Sequence, residues 1–274
     1  MIVHAITSDL HFGNGKSQDH FGPKQRERLE NELLELVDLR TEYPNLNLIL
    51  NGDILDGTRF RIEEVFKAHR RDLELISKAL PTFYIIGNHD IELASCEWRR
   101  RILELGFRCI SHQLYSPVNA GTLYLHGHQF DDLNSGPFHW VGEKAAGIAS
   151  WVGSLIPEGE DALESIASRI EGPRNVKGKG RYASPSIFAQ KVLSWLREGP
   201  NFMTTNASHE RVQLKPLITE AVCGHTHWSV IDSVVDCDQI LYVHRNVGQW
   251  STDGWKIMVF NDDGTLSEIK QLKL

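Results

Sequence analysis

Asp9 and His11, Asp53 and Asp56, Asn88, His89 and Asp90, His126 and His128, and His225 and His227 share one position in the sequence pattern. Each group follows a short apolar run: IVHAITS, LNLILN, TFYII, TLYL and AVC. A single histidine after a strand is more often a hydrogen-bonding or solvent-exposed group than a ligand. Repeated Asp/Asn/His clusters are harder to explain that way, because turns call for Gly, Asn or Asp and not repeatedly for imidazole. Carboxylate, imidazole and amide oxygen are donors suited to Mn²⁺, Zn²⁺, Fe or Co²⁺, and the lack of clustered thiolates argues against a structural zinc site. Two ions about 3.5–4 Å apart need a carboxylate that bridges them and separate ligands on either side. Such a pair binds a phosphoryl oxygen, lowers the pKa of a bound water and neutralises charge in an in-line displacement.

The elements that would position these groups alternate. A strand over 2–8 is followed by helical periodicity at about 24–41, with Leu29, Leu33, Leu36 and Val37 on one face. LNLILNGD gives a buried strand, 62–79 a second helix closed by Pro81, and TFYIIGNHD a third strand and its loop. Strand, helix, strand, helix, strand predicts parallel β-α-β units, and open α/β sheets place ligands beyond the carboxyl ends of their strands. A helix at 95–105, a strand near 107–111 and TLYLHGHQFDD follow. Gly52, Gly87 and Gly224 are read as tight-turn residues that let the ligands point inward.

After Leu133 the character changes. Residues 134–206 are read as an inserted, mainly helical cap within a single domain of residues 1–274. It carries the apolar stretch 138–156, an acidic helical stretch at 158–170, the basic, glycine-rich EGPRNVKGKGRYASP and a helix at about 185–197. From Leu217 the pattern returns to short β segments that suggest an antiparallel continuation or a second sheet. Asn246 is a candidate backbone-positioning residue, with His244 and Arg245 as further candidates for the same rim.

The composition, 41% hydrophobic and 24% charged, is that of an ordinary globular protein. The net charge of −7 disfavours a nucleic-acid partner, which usually meets a basic surface. No run of about 18 apolar residues predicts a membrane span, and peripheral membrane contact and oligomeric state stay open. The opening MIVHAITSDL reads as a strand and not as a signal peptide. Cys96, Cys109, Cys223 and Cys237 are widely spaced, which fits free thiols and a cytoplasmic location.

The series SDLH (8–11), GDILD (52–56), GNHD (87–90), HGH (126–128) and GHTH (224–227) resembles the calcineurin-like metallophosphoesterase superfamily, motif by motif and in order. The resemblance covers about 1–132 and 215–262. It implies an α/β fold, a β-sandwich flanked by helices, and two divalent metal ions with Mn²⁺ as the leading expectation. It further implies that Asp9, His11 and His227 hold the first ion, that Asp53 bridges both, and that Asn88, His126 and His225 complete the second. His128 is the alternative to His126. His89 matches the position that touches the scissile phosphate, and an imidazole can donate a proton or hydrogen bond there. Its alternative role is to orient a ligand carboxylate. Asp56 and Asp90 are read as groups that hold imidazoles in the correct tautomer.

The implied activity is hydrolysis of a small phosphodiester, diphosphate or phosphomonoester. The alternatives are a nuclease of the same superfamily or a non-catalytic metal-binding scaffold. GDILDGT and GNHD depart from the GD-x-VDRG and GNHE of the protein-phosphatase branch. The layout is nearest to the UDP-2,3-diacylglucosamine hydrolases, although these generally carry arginine where this chain has His89. In the insert, Arg169, Arg174, Lys177, Lys179 and Arg181 could meet a second phosphate or simply form a solvated loop.

Overall fold

The computed structural model describes residues 2–16, 19, 21–115, 121–130, 185–197, 202–205, 211–214, 219–225, 233–237, 240–262 and 265–272. The stretches 138–156 and 158–170, the basic segment before Pro185, and His227 lie outside the described residues.

The first half builds as its periodicity predicts. Strand β1 (Ile2–Thr7) leads through a loop to α1 (Pro23–Leu39), which begins with proline at its first position, where the missing N–H costs nothing. Strand β2 (Leu46–Asn51), α2 (Ile62–Ala79) and β3 (Thr82–Ile85) follow, then α3 (Cys96–Glu104), β4 (Cys109–Ser111), β5 (Gln113–Tyr115) and β6 (Thr122–Leu125). Ser95 caps α3 by accepting the Trp98 N–H.

Beyond residue 184 come α4 (Pro185–Arg197), β7 (Phe202–Thr205), β8 (Arg211–Leu214), β9 (Glu220–Cys223), β10 (Ser233–Cys237) and β11 (Ile240–Asn246). A single turn, α5 (Trp250–Asp253), precedes β12 (Lys256–Phe260) and β13 (Leu266–Gln271).

The strands form two main sheets. One runs β13-β12-β1-β2-β3-β4, the other β10-β11-β9-β6-β5, while β7 and β8 pair separately. In the first sheet β1 to β4 are parallel, and in the second β9 is parallel to both β6 and β11. The C-terminal strands thus divide, β12 and β13 extending the first sheet and β9 to β11 building the second.

Alternation along the strands sorts the core into layers. Val3, Ala5, Leu48 and Leu50 pack under Leu29, Leu33 and Leu36 of α1 and Val65, Leu73 and Ile76 of α2. Ile6, Ile49 and Ile85 meet Tyr124, Val222, Met258 and Phe260 between the sheets. Leu123, Leu125, Ala221 and Cys223 on the outer face of the second sheet receive Phe188, Val192 and Leu196 of α4. The result is a β-sandwich flanked by helices, and burial on both sheet faces explains why β2 reads as an almost continuous apolar run.

Candidate metal centre

Parallel strands fix where their loops go. β1, β2 and β3 end at one rim, and the loop after β1 is stitched to the loop after β2. Asp9 N–H donates to the Gly52 carbonyl (3.0 Å), His11 N–H to that of Asp53 (3.1 Å) and Phe12 N–H to that of Ile54 (2.8 Å). The second sheet joins the same rim: Gly224 N–H donates to the His126 carbonyl (2.9 Å), and the Asn51 amide of β2 donates to the Val222 carbonyl of β9 (3.3 Å).

The backbone at this rim is unusual. Among the described residues, the non-glycine residues with positive φ are Asp9 (56°), His11 (49°), Asp53 (54°) and His225 (62°). The left-handed conformation costs L-residues roughly 1–2 kcal/mol each and persists only where surrounding contacts impose it. All four are candidate ligands from the motif pattern. Of the glycines read as tight turns, only Gly52 has positive φ (88°). Gly87 and Gly224 serve a different need, which is space. A Cβ on Gly87 would collide with the Asp53 carboxylate, and one on Gly224 would lie 2.6 Å from Ser8 Oγ.

The side chains converge. Ligand atoms of Asp9, His11 and Asp53 lie within 4.8 Å of one another, as do those of Asp53, His126 and His225. Asp53 belongs to both groups. Its Oδ2 is 3.0 Å from His126 Nε2, which lies 3.3 Å from His225 Nδ1, and Asp9 Oδ1 is 3.4 Å from His11 Nε2. His126 donates from Nδ1 to the Asn51 carbonyl (2.9 Å), so in the neutral ring the Nε2 lone pair faces Asp53. Asn88 Oδ1 is buried and has no hydrogen-bond partner among the described residues, as an oxygen held ready for a cation would be. His128 belongs to neither group, its ring centroid lying 5.7 Å from that of His126.

Three imidazoles crowd one carboxylate, and their electrostatics follow from that. Burial opposes ionisation of Asp53, but His126, His89 and His11 hold it well below the ordinary carboxylate range. Burial likewise opposes charge on His126, yet Asp53, Asp9 and the Asn51 carbonyl lift it to about 9. His89 also reaches about 9, with burial outweighed by Asp53, Asp56 and Asp9. In the protein without metal, the raised values of His126 and His89 favour protonated rings beside the ionised Asp53.

His89 projects from the loop after β3, and its side chain is a quarter exposed. Its Nδ1 lies 3.0 Å from Asp56 Oδ1 and 2.7 Å from Thr58 Oγ1, while Nε2 is directed toward Asp53 Oδ2 at 3.9 Å. His11, Asp56 and His89 also lie close enough to hold an ion. Asp56 Oδ1, however, is already engaged by His89, by the Thr58 hydroxyl (3.1 Å) and by the Arg59 N–H (3.3 Å), which makes this an oriented acid–imidazole pair.

Asp56 thus holds an imidazole, as its place in the motif suggested. Asp90 does not. It accepts the N–H groups of Ile54 (2.9 Å) and Gly87 (2.5 Å) and the Tyr84 hydroxyl (2.7 Å), so it braces the backbone around Asp53. Asn246 is also a backbone brace, donating to the Gly224 carbonyl and accepting the Gly248 N–H, both at 3.0 Å.

Successive strand residues point to opposite faces, so His244 and Arg245 do not face one rim together. His244 is buried beside Phe188 of α4, and Arg245 pairs with Glu220. Sequence reasoning missed Thr58 and Ser8. Thr58, two residues after an Asp, carried the signal of a side-chain turn. Ser8 carried none, yet its Oγ contacts the Asp9 carboxylate and donates to the Gly248 carbonyl (2.6 Å).

A helix-flanked two-sheet sandwich with an Asp/His cluster at one rim defines a metallophosphoesterase class of protein. The sequence model of the calcineurin-like phosphoesterases matches residues 4–229, and the chain belongs to that family. Members of the family use divalent metal ions. Among solved structures, a dimetal phosphatase from Danio rerio is 11% identical, with 94% of this chain and 92% of that one covered and a TM-score of 0.42. A 5'-nucleotidase precursor from Thermus thermophilus is 12% identical, with 98% of this chain and 53% of that one covered and a TM-score of 0.41, so this chain spans about half of its length. No curated protein matches the chain. No helix among the described residues is long and apolar enough to cross a membrane.

Proposed function

We propose that the chain hydrolyses a small phosphodiester, diphosphate or phosphomonoester with two divalent metal ions held at the rim. The observation that carries this reading is Asp53, the residue common to two adjoining clusters of ligand atoms. A bridging carboxylate with separate ligands on either side is what a two-metal site requires.

The residues fit the ions. Asp9 and His11 offer oxygen and imidazole nitrogen on one side of Asp53, and His126 and His225 offer nitrogen on the other, with the buried Asn88 Oδ1 as a further donor. His227 completes the first side in this proposal. The donor set is free of thiolate and suits Mn²⁺ first, with Zn²⁺, Fe and Co²⁺ as alternatives. When bound, the ions supply Lewis acidity toward a phosphoryl oxygen and lower the pKa of an attacking water.

The chain's own groups do the rest. The Asn51 carbonyl keeps the proton of His126 on Nδ1, which leaves Nε2 for the ion. Asp56 accepts from His89 Nδ1 and aims Nε2 toward the centre, where it can donate to the leaving oxygen. We further assign residues 1–274 to a single domain with 134–206 inserted, and place the protein in the cytoplasm, in keeping with the free thiols of Cys96, Cys109 and Cys223.

The test is direct. Purified protein with Mn²⁺ is expected to cleave bis-p-nitrophenyl phosphate or p-nitrophenyl phosphate, and Asp53→Ala to abolish turnover in a folded chain. A panel of nucleotides, cyclic nucleotides and UDP-diacylglucosamine then ranks substrates. A protein that binds two ions and cleaves nothing on the panel refutes the enzyme reading in favour of the scaffold. Cleavage of single- or double-stranded DNA at low salt would favour the nuclease.

A further inference from the structure

Behind the rim, α2 carries a buried charged cluster that the proposed chemistry does not use. His69 is 1% exposed and places a ring nitrogen against each of two carboxylates: Nε2 lies 2.8 Å from Asp19 Oδ2, and Nδ1 lies 2.9 Å from Asp72 Oδ2. Both acids are held in acceptor roles by other donors. Asp72 accepts two parallel bonds from Arg26 of α1, at 2.7 and 2.9 Å. Asp19 accepts the backbone N–H groups of Gly13 (3.1 Å), Gly15 (2.8 Å) and Phe21 (2.8 Å). An ionised carboxylate only accepts, so both nitrogens of His69 must donate, and a ring that donates twice is an imidazolium. With both carboxylates ionised, this geometry calls for a charged ring.

The cluster reaches the metal centre through Phe12. Its ring lies flat on His69, with centroids 4.7 Å apart and planes 15° apart, and Phe21 meets the imidazole edge-on at 5.5 Å. The Phe12 backbone is bonded on both sides to the loop after β2, its N–H donating to the Ile54 carbonyl and its carbonyl accepting the Asp56 N–H (2.9 Å). Phe12 follows His11 directly, and Ile54 follows Asp53. The side chain that His69 supports therefore belongs to the residue that joins the two ligand loops.

We infer that His69 is a positioning residue for the Asp9–His11–Asp53 half of the centre: clamped as an imidazolium between Asp19 and Asp72, it fixes Phe12 and the two loops that Phe12 joins. The inference rests on the metal-centre reading above. The charged groups facing His69 are Asp72 on its own helix, Asp19 from the loop and, behind Asp72, Arg26 of α1, on which Glu30 acts in turn. Burial opposes the charge of His69, but the two carboxylates raise its pKa above the ordinary value of 6.5. The clamp is therefore complete below 6.5 and loosens as pH rises through the higher folded-state value.

The test uses the full chain and Mn²⁺ alone as the probe. A nitrogen-15 NMR titration of His69 is expected to show the imidazolium persisting above pH 6.5, where an ordinary histidine is mostly neutral. His69→Phe keeps a flat ring on Phe12 and removes both donors. It is expected to weaken Mn²⁺ binding about tenfold, as loss of an outer support does. It is also expected to expose the Gly13, Gly15 and Phe21 amides to hydrogen exchange while those of β12 and β13 stay protected. If His69→Phe does not fold, Asp19→Asn loosens the loop side of the clamp and is expected to weaken Mn²⁺ binding in the same direction. A His69 that is mostly neutral at pH 6.5, or unchanged Mn²⁺ affinity in the folded variant, overturns the inference. A wild-type chain that binds no Mn²⁺ overturns the metal centre itself, and the role of His69 with it.

Discussion

Asp53→Asn keeps the shape of the side chain and removes one negative charge from the middle of the rim. The first consequence falls on His126. Its Nε2 lies 3.0 Å from Asp53 Oδ2, and at an effective dielectric constant of about 20 that attraction is worth about 5 kcal/mol. One pKa unit corresponds to about 1.4 kcal/mol, so the pair is strong enough to offset burial and lift the ring to about 9. Without the carboxylate charge only Asp9 and the Asn51 carbonyl are left to oppose burial, and His126 is expected to fall below its ordinary 6.5 and to be neutral at pH 7. Histidine nitrogen shifts of metal-free protein read this directly.

Metal uptake reads it independently. Mn²⁺ entering the wild-type centre at neutral pH must displace the proton of His126, whereas the variant has none there to release. Titration calorimetry in buffers of different ionisation enthalpy is expected to show about one proton fewer for Asp53→Asn. Loss of the carboxylate charge shared by both clusters is expected to weaken Mn²⁺ binding and to lower turnover at subsaturating metal. A variant whose His126 stays charged at pH 7, or which releases as many protons as wild type, refutes the electrostatic account.

Gly87→Ala places a methyl group on the Asp53 carboxylate and is expected to abolish Mn²⁺ binding, measured by metal content after dialysis, while circular dichroism stays near wild type. His89→Gln is expected to lower kcat by about 10²–10⁴ for an alkyl phosphoester, which needs a proton on the leaving oxygen, and far less for a p-nitrophenyl ester; equal losses on both would count against proton donation. His4 is buried between Tyr124 and Phe260 with neither ring nitrogen partnered among the described residues, and burial lowers its pKa to about 4. Its folded value lies below the unfolded 6.5, so its neutral form supports full stability above 6.5, and roughly 3 kcal/mol is lost as pH falls toward 4. Urea unfolding of metal-free His4→Phe is expected to show a correspondingly shallower loss over that interval.

The ligand-bearing rim was legible because parallel topology leaves little choice. Once 2–8, 46–51 and 82–86 are read as parallel strands, Asp9, Asp53 and Asn88 must emerge on one side, whatever the loops do. The same alternation decides against His244 and Arg245 acting together, since consecutive strand residues cannot both face one rim, and their contacts with Phe188 and Glu220 account for each. That outcome needed the strand to be known to run through Asn246, beyond where its apolar pattern fades. Asp90 was illegible for another reason. Its partners are the backbone N–H groups of Ile54 and Gly87 and a hydroxyl from β3, and no residue pattern announces a backbone donor left over by a turn.

Glycine was the misleading signal. Read alone, glycine beside each ligand suggests that glycine absorbs the difficult backbone angles. Yet Asp9, His11, Asp53 and His225 take left-handed angles themselves, while Gly87 and Gly224 clear room for neighbouring side chains. The two facts are connected. Left-handed ligands and neighbours without a side chain both serve close approach at one rim. The chains approach closely enough for Asp53 Oδ2 to come within 3.0 Å of His126, and a Cβ on Gly87 would collide with the other oxygen of that carboxylate. Such strain persists only if something holds the loops from outside, and the cross-bonds of Phe12 to Ile54 and Asp56 are the visible restraint. His69 therefore belongs to the same account as the ligands. The imidazolium beneath Phe12 supports the restraint that keeps Asp9, His11 and Asp53 in conformations they would otherwise leave.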